Sequence, residues 1–553
     1  MNFVSARFPA NGASEKIACP VALALTSFRM VQTETLVILL AIVTALVVAA
    51  RKLELPYPVL LVIGGLGISF IPGLTAPRLN PEVVFFFCLP PLIYPTALFT
   101  SWRDFRANLR PILLLAIGLV LFTMAAVACV AHALIPEMRW AAAFALGAIV
   151  SPPDAVAASA VIRRLSVPRR IEGILEGESL VNDATALVAL QFAIAALVTG
   201  KFSLAAASGE FLLVAAGGIG SGLVVGYLIR QVRQHVDDTP VNITISLLTP
   251  FVAYLLAEKL HLSGVLAVVA AGVYLGWHGP VAISPRVRLQ AYAVWEMIVF
   301  LLNGLLFILI GLQLPAILQQ QESWWHLLSV GAAVSATVIL VRIAWVYPAT
   351  YLPRFLFPSE RAQPKPAWQN VALVSWAGMR GVISLAAAFA LPFVLADGTA
   401  FPARGPILFI TFCVILTTLV GQGLTLPWLI RRLKIHDDGL TDEEERLARR
   451  RANEAALKLI EQLAGDCGVP EEIVSRLRAE YRERIDELEQ CAQLLEGTRG
   501  EMATPHYRRL QLAALKTERQ TIIQLRNDRA INDEALRRIQ RDLDLAEERL
   551  DHD

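Results

Sequence analysis

Long apolar runs separated by short polar stretches recur from Leu36 to Ile430. A hydrocarbon layer of about 30 Å takes about 20 apolar residues of helix to cross. Hydropathy predicts thirteen such spans. They centre on Leu36–Ala50, Pro58–Phe70, Val83–Leu98, Ile112–Leu134, Ala141–Val161, Ile174–Val198, Phe211–Ile229, Ile243–Ala257, Leu262–Trp277, Ala291–Leu314, Leu327–Tyr351, Val371–Leu395 and Ile407–Ile430. After Ile435 the pattern changes. Gly465, Gly468 and Pro470 punctuate a charged stretch, with the proline at a helix-start position. Ile473, Leu477, Tyr481, Ile485 and Leu488 then recur at helical spacing, the mark of a packing face. A second helical block is expected over about Tyr507 to Leu550. At the other end, Ile17–Phe28 is too short to span and lacks a signal-peptide layout, and Met30 is an alternative start. The expected organisation is a leader over 1–29, a transmembrane domain over 30–435 and a charged helical tail over 436–553.

Two spans are interrupted at their centres. Span five reads ALGAIVSPPDAVAASAV, in which Pro152 removes a backbone donor, Pro153 restricts the residue before it, and Asp154 follows at once. Span twelve carries Gly378 and Gly381 on either side of Arg380. If span seven is a connector, spans one to six and eight to thirteen form two six-helix units. An odd number of spans between them inverts one relative to the other. The interrupted helices are then the fifth of each unit, the arrangement that points to a transporter's midplane site.

Composition agrees with the pattern. The 553 residues are 56% hydrophobic and only 17% charged, with a mean hydropathy of +0.56. That is a polytopic membrane protein and not a soluble enzyme. The formal charge of +2 hides a split: residues 437–553 hold 20 Lys+Arg against 28 Asp+Glu, which leaves the rest with 29 against 19. Loop charges fix an orientation. The loops after odd-numbered spans carry 16 Lys and Arg, and those after even-numbered spans carry 5. With the N-terminus outside and the tail in the cytoplasm, every cytoplasmic loop has at least two basic residues and every external loop at most one. The six cysteines (Cys19, Cys88, Cys129, Cys413, Cys467 and Cys491) have neither metal-ligand spacing nor the look of a disulfide framework.

The candidate chemistry lies in span six, EGESLVNDATALVAL. Glu178 and Asn182 are four apart and Asp183 follows, so the three project from neighbouring parts of one helix face. Carboxylates at membrane depth are costly and face a bundle interior or a wet cavity. They either bind a cation or proton, or only hold helices together by an ion pair. Arg342, past the middle of span eleven, either snorkels to the cytoplasmic surface or pairs with such a carboxylate. Glu296 and Asn303 share a face of span ten and read as structural; His132 and His261 read as interfacial; Phe85-Phe86-Phe87 reads as a lipid-facing or packing run.

GESLVND in span six, a preceding broken helix with SPPDAVA and a later GMRG together resemble the sodium/proton exchangers of the cation:proton antiporter superfamily, in the NhaP/NHE branch. The resemblance covers the whole membrane domain. It implies an all-α fold of thirteen transmembrane helices in two inverted six-helix repeats whose discontinuous helices cross, with a helical cytoplasmic tail. Asp183 is then the carboxylate that takes a proton or a metal cation in turn, Asn182 its neighbour, and Ser179 a further cation ligand. Glu178 would pair with Arg342. Pro152, Pro153, Asp154, Gly378, Arg380 and Gly381 would form the helix crossing, with Asp154 offsetting helix N-termini and Arg380 offsetting C-termini. Asp154 is also grouped with the ion site. An Asn-Asp pair implies electroneutral one-for-one exchange, where two aspartates go with electrogenic exchange. Two departures stand out. The family's proline after the span-five aspartate is replaced by Ala155, and Pro95 stands where some relatives carry an accessory acid in span three.

The expected function is secondary active exchange of a monovalent cation, Na⁺ first and K⁺ as the alternative, for H⁺ across the inner (plasma) membrane, serving pH and sodium homeostasis. One site that holds either ion and opens to one side at a time suffices for exchange. No Gly-rich loop precedes Lys-Ser or Lys-Thr, so an ion gradient drives the cycle. No cofactor and no nucleic-acid partner are expected; the partners are Na⁺, H⁺ and the bilayer, with a homodimer implied by the resemblance. A channel would need a continuous pore, a membrane sensor would need a signalling motif in the tail, and an intramembrane enzyme would need a paired nucleophile and base.

Overall fold

The computed structural model describes residues 37–70, 84–162, 165, 167–199, 204–282, 284–318, 324–356, 361, 365–395, 400–435, 440–466, 471–496, 515–522, 524, 528, 539 and 543. The expected leader over 1–29 lies outside them, as does most of the block expected over Tyr507–Leu550, whose described part is helical at 515–522. The chain divides into two compact units, Met1–Asp438 and Gly439–Asp553. Among the described residues, regular structure is helical apart from one isolated bridge between Val394 and Ala400.

In the first unit the helices run α1 (37–52), α2 (Tyr57–Ile68), α3 (Leu89–Phe99), α4 (Leu109–Leu134), α5 (Trp140–Val150), α6 (Ala155–Ile162), α7 (Arg169–Thr199), α8 (Leu204–Arg233), α9 (Thr239–Lys259), α10 (Gly264–Ala282), α11 (Pro285–Leu312), α12 (Trp324–Leu356), α13 (Trp368–Trp376), α14 (Val382–Phe389) and α15 (Arg404–Leu433). Seven described helices are long and apolar enough to cross a membrane, accompanied by four shorter apolar ones. Helix is what such sequences form in lipid, because it satisfies every backbone group within the segment. Spans five and twelve each appear as two half-helices, α5 with α6 and α13 with α14.

Helix α7 is central: it packs on α3, α4, α5, α6, α10 and α13. Burial grades outward from there. In α15, 67% of the apolar stretch is buried; in α8 only 22% is, leaving Leu212, Leu213, Val224 and Leu228 on an outward face suited to lipid. Three segments widen into π-helix: Val84–Cys88 leading into α3, Leu114–Leu119 within α4, and Thr417–Gln422 within α15. The first holds the phenylalanine run, and it packs: Phe86 sits on Phe251 and Tyr254, and Phe87 on Phe251.

The second unit contains α16 (Leu440–Asp466) and α17 (Glu471–Glu496), which pack on each other. Pro470 immediately precedes α17, and Val474 is buried. Arg478 of α17 lies 3.9 Å from Glu461 of α16.

Candidate functional site

The two breaks meet. After α5 ends at Val150, the prolines leave the chain without donors for two residues, and Asp154 starts α6: its Oδ1 accepts from the Val156 N–H at 2.9 Å. The Asp154 N–H donates to the Met379 carbonyl, 2.6 Å away in the second break. There α13 stops at Trp376, and residues 377–381 run on without helix. Both glycines of this stretch are set by close approach. A Cβ on Gly378 would strike Arg342 Cδ, and one on Gly381 would strike the Asp154 carboxylate. The carboxylate thus lies at the start of α6 and against the residue that opens α14.

Arg380 serves the opposite ends. It is fully buried; Nε donates to the Val150 carbonyl at 3.0 Å, Nη2 to the Ser151 carbonyl at 3.3 Å, and Nη1 to the Gly378 carbonyl. Those acceptors lie at the C-terminal ends of α5 and α13, where helix carbonyls lack intrahelical donors. Its own N–H donates to Thr418 Oγ1 at 3.1 Å. A negative group near N-termini and a positive group near C-termini both suit the helix dipoles.

Alongside runs α7. Arg342 of α12 makes a fork-to-fork pair with Glu178, Nη1 to Oε1 at 2.6 Å and Nη2 to Oε2 at 2.8 Å, with both side chains at most 1% exposed. Arg342 Nε donates to the Val374 carbonyl in α13 at 3.1 Å. Asn182, fully buried, donates from Nδ2 to the Pro153 carbonyl in the first break at 3.1 Å, and its Oδ1 has no partner among the described residues. Asp183 is also buried, yet no hydrogen bond to its carboxylate occurs among the described residues. It borders a cavity of about 10 Å³ between α5, α7 and α14, room for about one water molecule. The charge of Asp154 acts on it. Ser179, one turn before Asp183, is half-buried and does not line this cavity.

The structure therefore brings together Glu178 with Arg342, Asn182 with Pro153, and Asp154 with Gly381 and Met379; it leaves Ser179 apart. Thr418 and the carbonyls of Val374, Val150 and Ser151 were not foreseen. Backbone acceptors have no residue signature, and a threonine within an apolar span has none either. The other polar residues take structural places. Glu296 is exposed while Asn303, on the same helix, is buried; His132 Nδ1 lies 2.7 Å from the Met138 carbonyl; His261 turns the chain after α9 at φ 57°.

A buried carboxylate without a partner, beside two broken helices whose ends are neutralised by opposite charges, defines the class: this is a multi-pass membrane transporter, not an enzyme. The family described as sodium/hydrogen exchanger, transmembrane, matches residues 37–432, and the chain belongs to it. It is 37% identical over 535 residues to an uncharacterized Na(+)/H(+) exchanger of Mycobacterium tuberculosis, covering 93% of this chain and 96% of the relative. It is 34% identical over 484 residues to the sodium, potassium, lithium and rubidium/H(+) antiporter of Bacillus subtilis, covering 85% and 71% respectively. In fold it is similar to the sodium proton antiporter MjNhaP1 of Methanocaldococcus jannaschii, with a TM-score of 0.58 at 19% identity over 73% of this chain and 99% of that one.

Proposed function

We propose that the protein exchanges one monovalent cation, Na⁺ in the first instance, for one proton, with Asp183 holding each in turn. The observation that carries this reading is the state of the three carboxylates at the site, of which Glu178 and Asp183 are buried and Asp154 half-buried. Glu178 is engaged by Arg342, and Asp154 accepts from a helix N-terminus, while Asp183 alone faces a cavity without a partner among the described residues. Asn182 cannot titrate, so one group is left to exchange its proton and the cycle moves no net charge. In this reading Asn182 steadies the carrier helix against the first break, Ser179 joins the cation's path, and Glu178–Arg342 is a structural pair.

The membrane domain, in this reading, makes thirteen crossings in two inverted six-helix units, with the N-terminus outside; the loop charges support that orientation. We place it in the inner membrane as a homodimer, with residues 436–553 in the cytoplasm, acting in pH and sodium homeostasis. A second reading widens the substrate to K⁺. It is favoured by the name of the Bacillus subtilis relative and by Pro95 standing where some of the family carry an acid.

The experiment uses purified protein in liposomes carrying an internal pH dye. Adding Na⁺ outside should move protons in wild type and not in folded Asp183→Asn. Cation-driven proton flux that survives in that variant refutes the carrier assignment. A panel of Li⁺, Na⁺, K⁺ and Rb⁺ then separates the two substrate readings.

A further inference from the structure

The carrier cavity has a second polar wall that neither the residue pattern nor the family resemblance singled out. Ser384 lies in the first turn of α14, is 2% exposed, and lines the same 10 Å³ cavity as Asp183. Every other residue lining that cavity is apolar. A helical serine ordinarily gives its hydroxyl to a carbonyl one turn back. For Ser384 that position is Arg380, in the non-helical break. No hydrogen bond to Ser384 Oγ occurs among the described residues.

We propose that Ser384 is a cation ligand, supplying Oγ to the ion held by Asp183; this rests on the reading of Asp183 as the carrier. Hard monovalent cations take oxygen ligands. In an apolar cavity with room for about one water, the only side-chain oxygens are those of Asp183 and Ser384. A bare helix start would oppose a cation through its partial positive charge. Here Asp154 lies against Gly381, the residue before α14, and offsets that charge. The hydroxyl can therefore turn a lone pair towards the ion. A proton on Asp183 needs no such ligand, so Ser384 acts on the cation half of the exchange. It also couples the two half-sites: α7 brings the carboxylate and α14 brings the hydroxyl, so the ion is fully coordinated only while the two helices are in register.

The test compares full-length wild type, Ser384→Ala, Ser384→Thr and Asp183→Asn. The readouts are thermal stabilisation by NaCl and LiCl against a choline control in detergent, and exchange in liposomes. Ser384→Ala should raise the half-maximal cation concentration and the KM for cation about tenfold, the lower end of what losing a supporting metal contact costs. The maximal rate should stay within about twofold, and Ser384→Thr should restore the wild-type KM. Should Ser384→Ala misfold, Ser384→Cys replaces the hard oxygen with sulfur at similar volume and should show the same raised KM. A wild-type KM in Ser384→Ala, or a threonine variant as impaired as the alanine one, overturns the proposal. If that occurs while Asp183→Asn no longer responds to cation, the carrier reading stands and only Ser384 falls. A cation response that persists in Asp183→Asn removes both.

Discussion

The Glu178–Arg342 pair permits a quantitative prediction. Both side chains are buried, both carboxylate oxygens are engaged at 2.6 and 2.8 Å, and Arg342 has one further acceptor, the Val374 carbonyl. Glu178→Ala removes two charge-assisted bonds and leaves a guanidinium facing one neutral carbonyl. Arg342→Ala leaves a buried carboxylate without a hydrogen-bond donor among the described residues, with only the nearby charge of Arg380 to offset it. Stranding one member of a buried pair costs about 3–5 kcal/mol. The pair itself contributes far less than that, because desolvation offsets its attraction. The double substitution Glu178→Leu, Arg342→Met, which buries apolar groups of comparable size, should therefore be more stable than either single alanine variant. Unfolding by SDS in mixed micelles, followed by tryptophan fluorescence, supplies the three free energies. Single variants within about 1 kcal/mol of wild type would show that the two charges are not desolvated. A double variant whose loss equals the sum of the single losses would show that the two side chains do not act on each other.

Three further outcomes are expected. One-for-one exchange predicts that an imposed membrane potential neither drives cation–proton exchange in liposomes nor shifts its reversal point; a shift would require a second titrating carboxylate, Glu178 or Asp154. Gly381→Ala places a methyl group where the Asp154 carboxylate lies, and overpacking of about 1–3 kcal/mol plus a lost helix cap of about 0.5–2 kcal/mol should abolish exchange and lower yield; wild-type exchange in that variant would contradict the close approach. Truncation after Asp438, where the first compact unit ends, should leave exchange measurable; an inserted, monodisperse but inactive product across the pH range would assign the tail a role in transport.

Much of the site was legible because membranes make polar residues conspicuous. Three polar side chains within six positions of an apolar helix, and two prolines ahead of an aspartate, have few bland explanations. Which side chains meet is a different matter. Glu178 and Arg342 are 164 positions apart, and hydropathy alone left Arg342 between snorkelling and pairing; only family resemblance named a partner. Ser384 was hidden by its commonness, since a serine in the first turn after a helix break looks like any serine that bonds back to its own backbone. The π-helical turns were also invisible, because one extra residue in a turn leaves the hydrophobic pattern almost intact. Ser179 shows the converse: motif position placed it at the cation, while its side chain lies outside the cavity that Asp183 borders.

The tie from Asn182 to the Pro153 carbonyl has a mechanical consequence. It rivets α7 to the first break, as Arg342 rivets the same helix to α13 and Arg380 rivets the second break to α5. Helices α5, α7, α12 and α13 are thus cross-bolted by buried polar contacts that would be costly to undo one at a time. On its other side, α7 packs on α3 and α10, where Leu180 and Ala184 share one buried apolar cluster with Leu89, Ile93 and Ala267. Slip along that seam trades one apolar neighbour for another at little cost, whereas slip within the bolted block breaks several bonds at once. The frame that holds Asp183 should therefore shift as a single piece along that apolar seam.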